Sequence, residues 1–152
     1  MGYLFKVMSK RLSWDEYAIQ LAMVAALRSE DPRTKVGCCL LRPDHTVASL
    51  GYNGAPSGVE IDWHDRVEKH KRVIHAEVNA CRMIKPGECY LAAITHAPCN
   101  DCLKTLAAYG IKKIVYVESY KFDASYSPES IAKDYGIEII QVSSSLKSVF
   151  LS

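Results

Sequence analysis

Apolar side chains recur at helical spacing over residues 13 to about 29. Tyr17, Ala18, Leu21, Ala22 and Ala25 mark one side and predict an amphipathic helix packed on a core. Ser13, with Glu16 three residues on, forms a capping box for its start, and Pro32 stops any continuation. The pattern then shortens. Residues 35–41 and 46–52 are short runs joined by the polar turn Arg42-Pro43-Asp44-His45, which predicts a β-hairpin with His45 solvated at its tip. The turn formers Asn53-Gly54-Ala55-Pro56-Ser57-Gly58 follow, and the highly charged residues 60–72 read as a solvated lid.

Helices and strands alternate in the second half. A helix is expected from His75 to about Ile84, a strand over 88–95, a helix from Cys99 to about Tyr109 and a strand over 113–117. A short helix opened by Ser127-Pro128 ends near Gly136, ahead of a strand over 137–142. Strand, helix, strand in that order implies a parallel crossover. The fold expected is a single α/β domain, its core over about 13–142, with five principal strands in a mixed sheet and helices on both faces. The first ten or so residues read as a loosely held arm, and those from Ser143 on as a tail or an inter-subunit contact.

Chemistry concentrates between His75 and Cys102. His75-Ala76-Glu77 is followed, after about twenty residues, by Pro98-Cys99-Asn100-Asp101-Cys102. One imidazole and two thiols make a zinc set with a fourth position open to water, unlike a closed structural site. Two thiolates balance the charge of Zn²⁺ and leave such a water acidified, and a carboxylate beside it, Glu77, can move its protons. Cys99 and Cys102, three apart, suit a first helical turn that Pro98 can open. His75 and Glu77, two apart, reach one metal only if their helix begins at about His75.

Composition narrows the classes. The 152 residues suit one domain able to bury a core without disulfides. A net charge of +2 predicts no dedicated nucleic-acid groove, and no run of about 18 apolar residues suggests a membrane span. Six cysteines do not read as a secreted framework, because no signal peptide is evident and two serve as ligands. Cys38, Cys39, Cys81 and Cys89 sit in apolar runs and are expected to be buried and free, in a reducing cytoplasm, or a host's cytoplasm for a viral chain.

The His-x-Glu and Pro-Cys-x-x-Cys signature is that of zinc nucleobase deaminases. Together with Arg28-Ser29-Glu30-Asp31-Pro32, Val36-Gly37, the 51–58 loop, His75 to Ala80 and Tyr109-Gly110-Ile111-Lys112-Lys113, the chain resembles the deoxycytidylate deaminases over roughly residues 13–142. The resemblance implies a cytidine-deaminase-like fold and hydrolytic conversion of dCMP to dUMP with release of ammonia, feeding thymidylate precursor synthesis. It implies Zn²⁺ held by His75, Cys99 and Cys102, Glu77 as proton shuttle, and the Ala76 backbone N–H on the water. Homo-oligomers, commonly hexamers, are also implied.

Other roles rest partly on that resemblance. It gives Asn53 a contact to base or sugar, although Asn-Gly is a strong turn former by itself. It tips Arg28 toward the substrate phosphate, against a solvated helix cap, with Arg33 and Lys35 ranked lower. Tyr120 is a candidate to pack on base or sugar and Lys121 to neutralise the phosphate, against a solvated loop. Nucleotide-regulated relatives form a dCTP or dTTP effector site around Gly51, Tyr52, Asn53 and Gly54. His64 and His70 could hold a second metal only with further ligands, and His96 is a neighbour of the site that departs from the family pattern. Alternative readings keep the chemistry on dCTP, a free nucleoside, guanine or a nucleic-acid base. A reading of another class is a structural zinc module or inactive regulator, with Cys81 or Cys89 closing the metal.

Overall fold

The computed structural model describes residues 11–120 and 124–143. The expected N-terminal arm, the tail beyond Ser143 and Lys121 lie outside the described residues. Five strands form one sheet in the order β2-β1-β3-β4-β5. The elements run α1 (Trp14–Ala26), β1 (Gly37–Leu41), β2 (Val47–Tyr52), α2 (Arg66–Arg72), α3 (Ala76–Cys81), β3 (Leu91–His96), α4 (Asn100–Ala108), β4 (Lys113–Glu118), α5 (Pro128–Asp134) and β5 (Glu138–Gln141). β1 pairs antiparallel with β2 and β3, whereas β3, β4 and β5 run parallel. The mixed sheet and its two crossovers match the expectation.

Both faces are covered, which explains why β1 is buried at every position. Cys39, Leu41, Leu91, Ala93, Val115 and Val117 meet α1 through Ala18, Ile19, Ala22 and Met23. Cys38, Leu40, Ala92, Ile94 and Ile114 face the opposite cluster, which holds residues of α3, α4 and α5. The alternation follows from strand geometry, where successive side chains point to opposite faces. Cys38, Cys39, Cys81 and Cys89 are free and buried, as their apolar settings imply.

Two close approaches set the spacing of the layers. A Cβ on Gly37 would lie 1.8 Å from the Ala22 carbonyl oxygen of α1, and one on Gly51 would lie 2.5 Å from both Ala76 O and Ala80 N of α3. Glycine at these positions lets each helix backbone pack directly on the sheet.

Local chemistry fixes the helix starts. The Ser13–Glu16 capping box is formed in both directions, and Ser127 caps α5 with Pro128 in its first turn. Gly110 and Gly136, just past α4 and α5, have φ of 85° and 69°, a left-handed exit open to glycine. Within the stretch read as a solvated lid, residues 66–72 form a helix capped by Asp65 that buries none of its residues. Two expectations shift. Cys99 is the N-cap of α4, so Pro98 precedes the helix instead of opening it. His45 is half-buried, with its ring 4.6 Å from that of Trp14 and stacked on it, because the hairpin folds back over α1.

Candidate metal and active site

The site forms where the N-terminal ends of α3 and α4 meet. His75 is the N-cap of α3, with extended backbone (φ −68°, ψ 154°) and no capping bond from its ring. That single extended residue lets His75 and Glu77 serve one site, as their two-residue spacing required. Cys99 occupies the equivalent N-cap of α4, and Cys102 lies on its first turn. His75 Nδ1 is 3.2 Å from Cys102 Sγ and 3.6 Å from Cys99 Sγ. A tetrahedral zinc with ordinary Zn–N and Zn–S bonds needs N···S edges of about 3.5 Å, so the three donors already fit the ion. Tyr126 steadies the approach to Cys99 by donating its hydroxyl to the Pro98 carbonyl at 2.9 Å.

Electrostatics agrees with a cation at this point. A hydrogen bond from Cys102 holds the Cys99 thiol down at about 4, and Cys99 in turn pushes Cys102 up. The hydrogen bond to Cys99 raises the His75 imidazole. A dication in place of the shared proton would hold both sulfurs as thiolates. Among the described residues, His75, Cys99 and Cys102 are the group able to hold a metal, while Cys81 and Cys89 lie in the core cluster away from it. Among the described residues the site is therefore open, with no fourth protein ligand to close it.

Glu77 is only 4% exposed. Burial pushes its carboxyl up to about 7, against backbone hydrogen bonding and the charge of His75, which pull it down. Such a group can take up and release a proton near neutral pH, as a general acid–base requires. Ala76, fully buried, begins α3 beside it, so its backbone N–H is one of those a helix start leaves unpaired.

A cavity of roughly 410 Å³ opens from the metal ligands, within the usual range for small-molecule sites. Asn53, His75, Cys99 and Tyr120 line it. Trp63, His64, Arg66, Lys69 and His70, from α2 and the loop before it, also line it. Asp31, Arg33 and Thr34 complete the rim. Asn53 is buried and committed to the fold: Oδ1 accepts from Val36 N at 2.8 Å, and Nδ2 donates to Thr34 O at 2.9 Å. An amide carries two N–H donors, so one remains for a ligand. Tyr120 is 41% exposed, and its ring stacks on His96 at 5.1 Å.

The structure thus brings His75, Ala76, Glu77, Cys99, Cys102, Asn53 and Tyr120 together. Arg28 is placed differently. It is exposed beyond the end of α1 and does not line the cavity, where Arg33 and Arg66 stand instead. Gly51 packs β2 on α3, Tyr52 accepts from Asn79 Nδ2 through its carbonyl at 2.8 Å, and Gly54 pairs with Ile74 just before His75. His64 and His70 reach the cavity but join no metal-binding group among the described residues. Asp31, Arg66 and Lys69 were missed as site residues. The signal for α2 was legible in Asp65 followed by Glu68, a capping pattern inside the charged run.

Comparison with known proteins agrees with this geometry. The family described as "Cytidine and deoxycytidylate deaminase zinc-binding region" matches residues 12–118. The chain belongs to this deaminase family. The human deoxycytidylate deaminase is 32% identical over 126 residues, covering 74% of this chain and 69% of the human protein. A deoxycytidylate deaminase from Mycobacterium phage D29 is 32% identical over 123 residues, covering 70% of this chain and 95% of the phage protein. The apo crystal structure of dCMP deaminase from cyanophage S-TIM5 has a TM-score of 0.71 and 24% identity, covering 88% of this chain and all of the phage chain. At that identity it supports the deaminase fold alone. No helix among the described residues is long and apolar enough to cross a membrane.

Proposed function

We propose that this deaminase catalyses the zinc-dependent hydrolysis of dCMP to dUMP and ammonia. The observation that carries the reading is the open set of His75, Cys99 and Cys102 with a buried carboxyl, Glu77, poised near neutral beside it. Zinc at these ligands supplies Lewis acidity that makes water nucleophilic at neutral pH. Glu77 accepts a proton as water adds to C4 of the cytosine and passes it to N3. It then carries the second proton from the new C4 hydroxyl to the amino nitrogen, which leaves as ammonia. The Ala76 N–H helps hold the attacking oxygen, Asn53 offers its remaining N–H to the base or sugar, and Tyr120 packs beside it.

The substrate is a nucleotide in this reading because Arg33 and Arg66 stand at the rim and guanidinium pairs well with phosphate oxygens. Six free cysteines suit a reducing cytoplasm. Homo-oligomerisation, with a hexamer favoured, and control by dCTP or dTTP through Gly51, Tyr52, Asn53 and Gly54 belong to the same reading. Support for the effector loop is that Asn53 lines the cavity and Gly54 is bonded to Ile74, next to the metal ligand. Rates measured with and without dCTP and dTTP test it, and insensitivity to both removes it.

Glu77→Ala tests the central chemistry. The variant is expected to retain zinc and lose at least a hundredfold in turnover, within the usual general acid–base contribution of about 10²–10⁴. Full activity would reject Glu77 as proton shuttle, whereas loss of zinc would make it a structural residue.

A further inference from the structure

Asp31 is fully buried although it sits at the cavity rim. Its Oδ1 accepts from Arg33 N at 2.9 Å and Thr34 N at 3.2 Å, which fixes the turn carrying Arg33. Its Oδ2, which receives no well-directed hydrogen bond among the described residues, faces the Lys69 ammonium of α2 in an ion pair. The same turn is tied from behind. Ser29 Oγ donates to Asn53 O at 2.9 Å and accepts from Asp31 N at 3.2 Å, while Asn53 holds Thr34 and Val36.

On the other side of this ion pair, α2 has no buried residue of its own. A short polar helix of this kind is not held by an apolar face, so its position depends on specific bonds. Among the described residues, Asp31–Lys69 is the ion pair that ties α2 to the body at the rim. It also consumes the charge of Lys69. Among the described residues, the Lys and Arg cations left at the cavity are Arg33 on the turn and Arg66 on the helix, both exposed. Among the described residues neither guanidinium takes part in an ion pair.

We propose that the ion pair between buried Asp31 and Lys69 is a latch that sets nucleotide specificity, holding the Arg33 turn and the Arg66 helix together at the cavity so that a substrate 5′-phosphate bridges the two guanidiniums. Asp31 and Lys69 are positioning residues, acting through the two arginines that contact the phosphate. The inference rests on the dCMP reading above and adds to it the groups that select a monophosphate over a nucleoside. Charge-assisted hydrogen bonds are the strong class, and losing one leaves a phosphate oxygen less well paired.

The test compares kcat/KM for dCMP with that for deoxycytidine in the zinc-loaded wild type, Arg33→Gln, Arg66→Gln, Lys69→Met and Lys69→Arg, with zinc content measured in each. Arg33→Gln and Arg66→Gln are each expected to lower the ratio roughly 10- to 100-fold, mainly through KM. Lys69→Met lowers it similarly, and Lys69→Arg, which keeps the cation, restores most of it. Asp31→Asn replaces Lys69→Met if that variant fails to fold, since the amide oxygen can still accept the two turn bonds. Thermal shift by 2-deoxyribose 5-phosphate reads the anion site without turnover, and the stabilisation is expected to vanish in Arg33→Gln/Arg66→Gln. A wild type that deaminates dCMP selectively, with ratios unchanged in every variant, overturns the latch and leaves the reaction standing. A wild type that binds the sugar phosphate through both arginines but never deaminates dCMP overturns the reaction and keeps the anion site.

Discussion

Gly51→Ala tests whether the close packing of β2 on α3 sets the geometry of the site. The added Cβ would stand 2.5 Å from Ala76 O and Ala80 N, about 0.9 Å inside ordinary contact at 3.4 Å. Both opposing atoms are backbone, so no side chain can swing away. α3 must retreat from the sheet by a comparable distance, and it carries Ala76 and Glu77 with His75 at its cap. Overpacking of this kind costs about 1–3 kcal/mol. For a domain of this size that corresponds to a Tm lower by roughly 3–10 °C. Misplacing catalytic groups by about 1 Å costs on the order of 100-fold in rate. Tm, zinc per protein and kcat on dCMP are measured for Gly51→Ala beside Gly87→Ala. Gly87 has φ of 83° and open space around it, so alanine there pays only about 1 kcal/mol of backbone strain and keeps kcat. A folded Gly51→Ala with wild-type kcat would refute the claim that this contact positions Glu77.

Further expectations follow from individual contacts. Asn53→Ala removes the acceptor for Val36 N and the donor to Thr34 O, and is expected to cost about 2–6 kcal/mol in denaturant unfolding, at about 1–3 kcal/mol for each of the two unsatisfied groups, and to raise KM for dCMP. Unchanged stability would contradict the clamp. Burial opposes ionisation of Asp31, yet Lys69 and two turn amides hold its carboxyl below 3.8. The stability it contributes is thus present above 3.8 and lost as pH falls through the lower folded value. The Tm gap between wild type and Asp31→Asn should stay level from neutral pH to about pH 5 and close in stronger acid; a gap that widens in acid would reverse the assignment. Ser13→Ala breaks the capping box of α1, at about 1 kcal/mol, and should leave zinc content and kcat untouched.

Much of this architecture was legible because local and tertiary signals agree. Ser13 with Glu16, and Ser127 with Pro128, announce helices whose apolar faces meet the sheet. The zinc set was readable from residue type and spacing, down to the need for a helix beginning at His75. What stayed hidden depends on long-range pairing. α2 buries no residue, so it has no apolar period and only its Asp65 cap marks it in the sequence, while its anchor is an aspartate 38 positions before Lys69. Arg28 looked suited to a phosphate, but it is exposed and does not line the cavity, while Arg33, on the turn held by Asp31, does. His45 at a polar hairpin tip gave no sign of Trp14, which approaches it only once the sheet and α1 are packed.

The most direct test of the account is simultaneous measurement of ammonia and deaminated product from dCMP, deoxycytidine and dCTP with the zinc-loaded protein. The account predicts equal amounts of ammonia and dUMP from dCMP, with a higher kcat/KM than for deoxycytidine. No ammonia from dCMP while zinc is bound would contradict it.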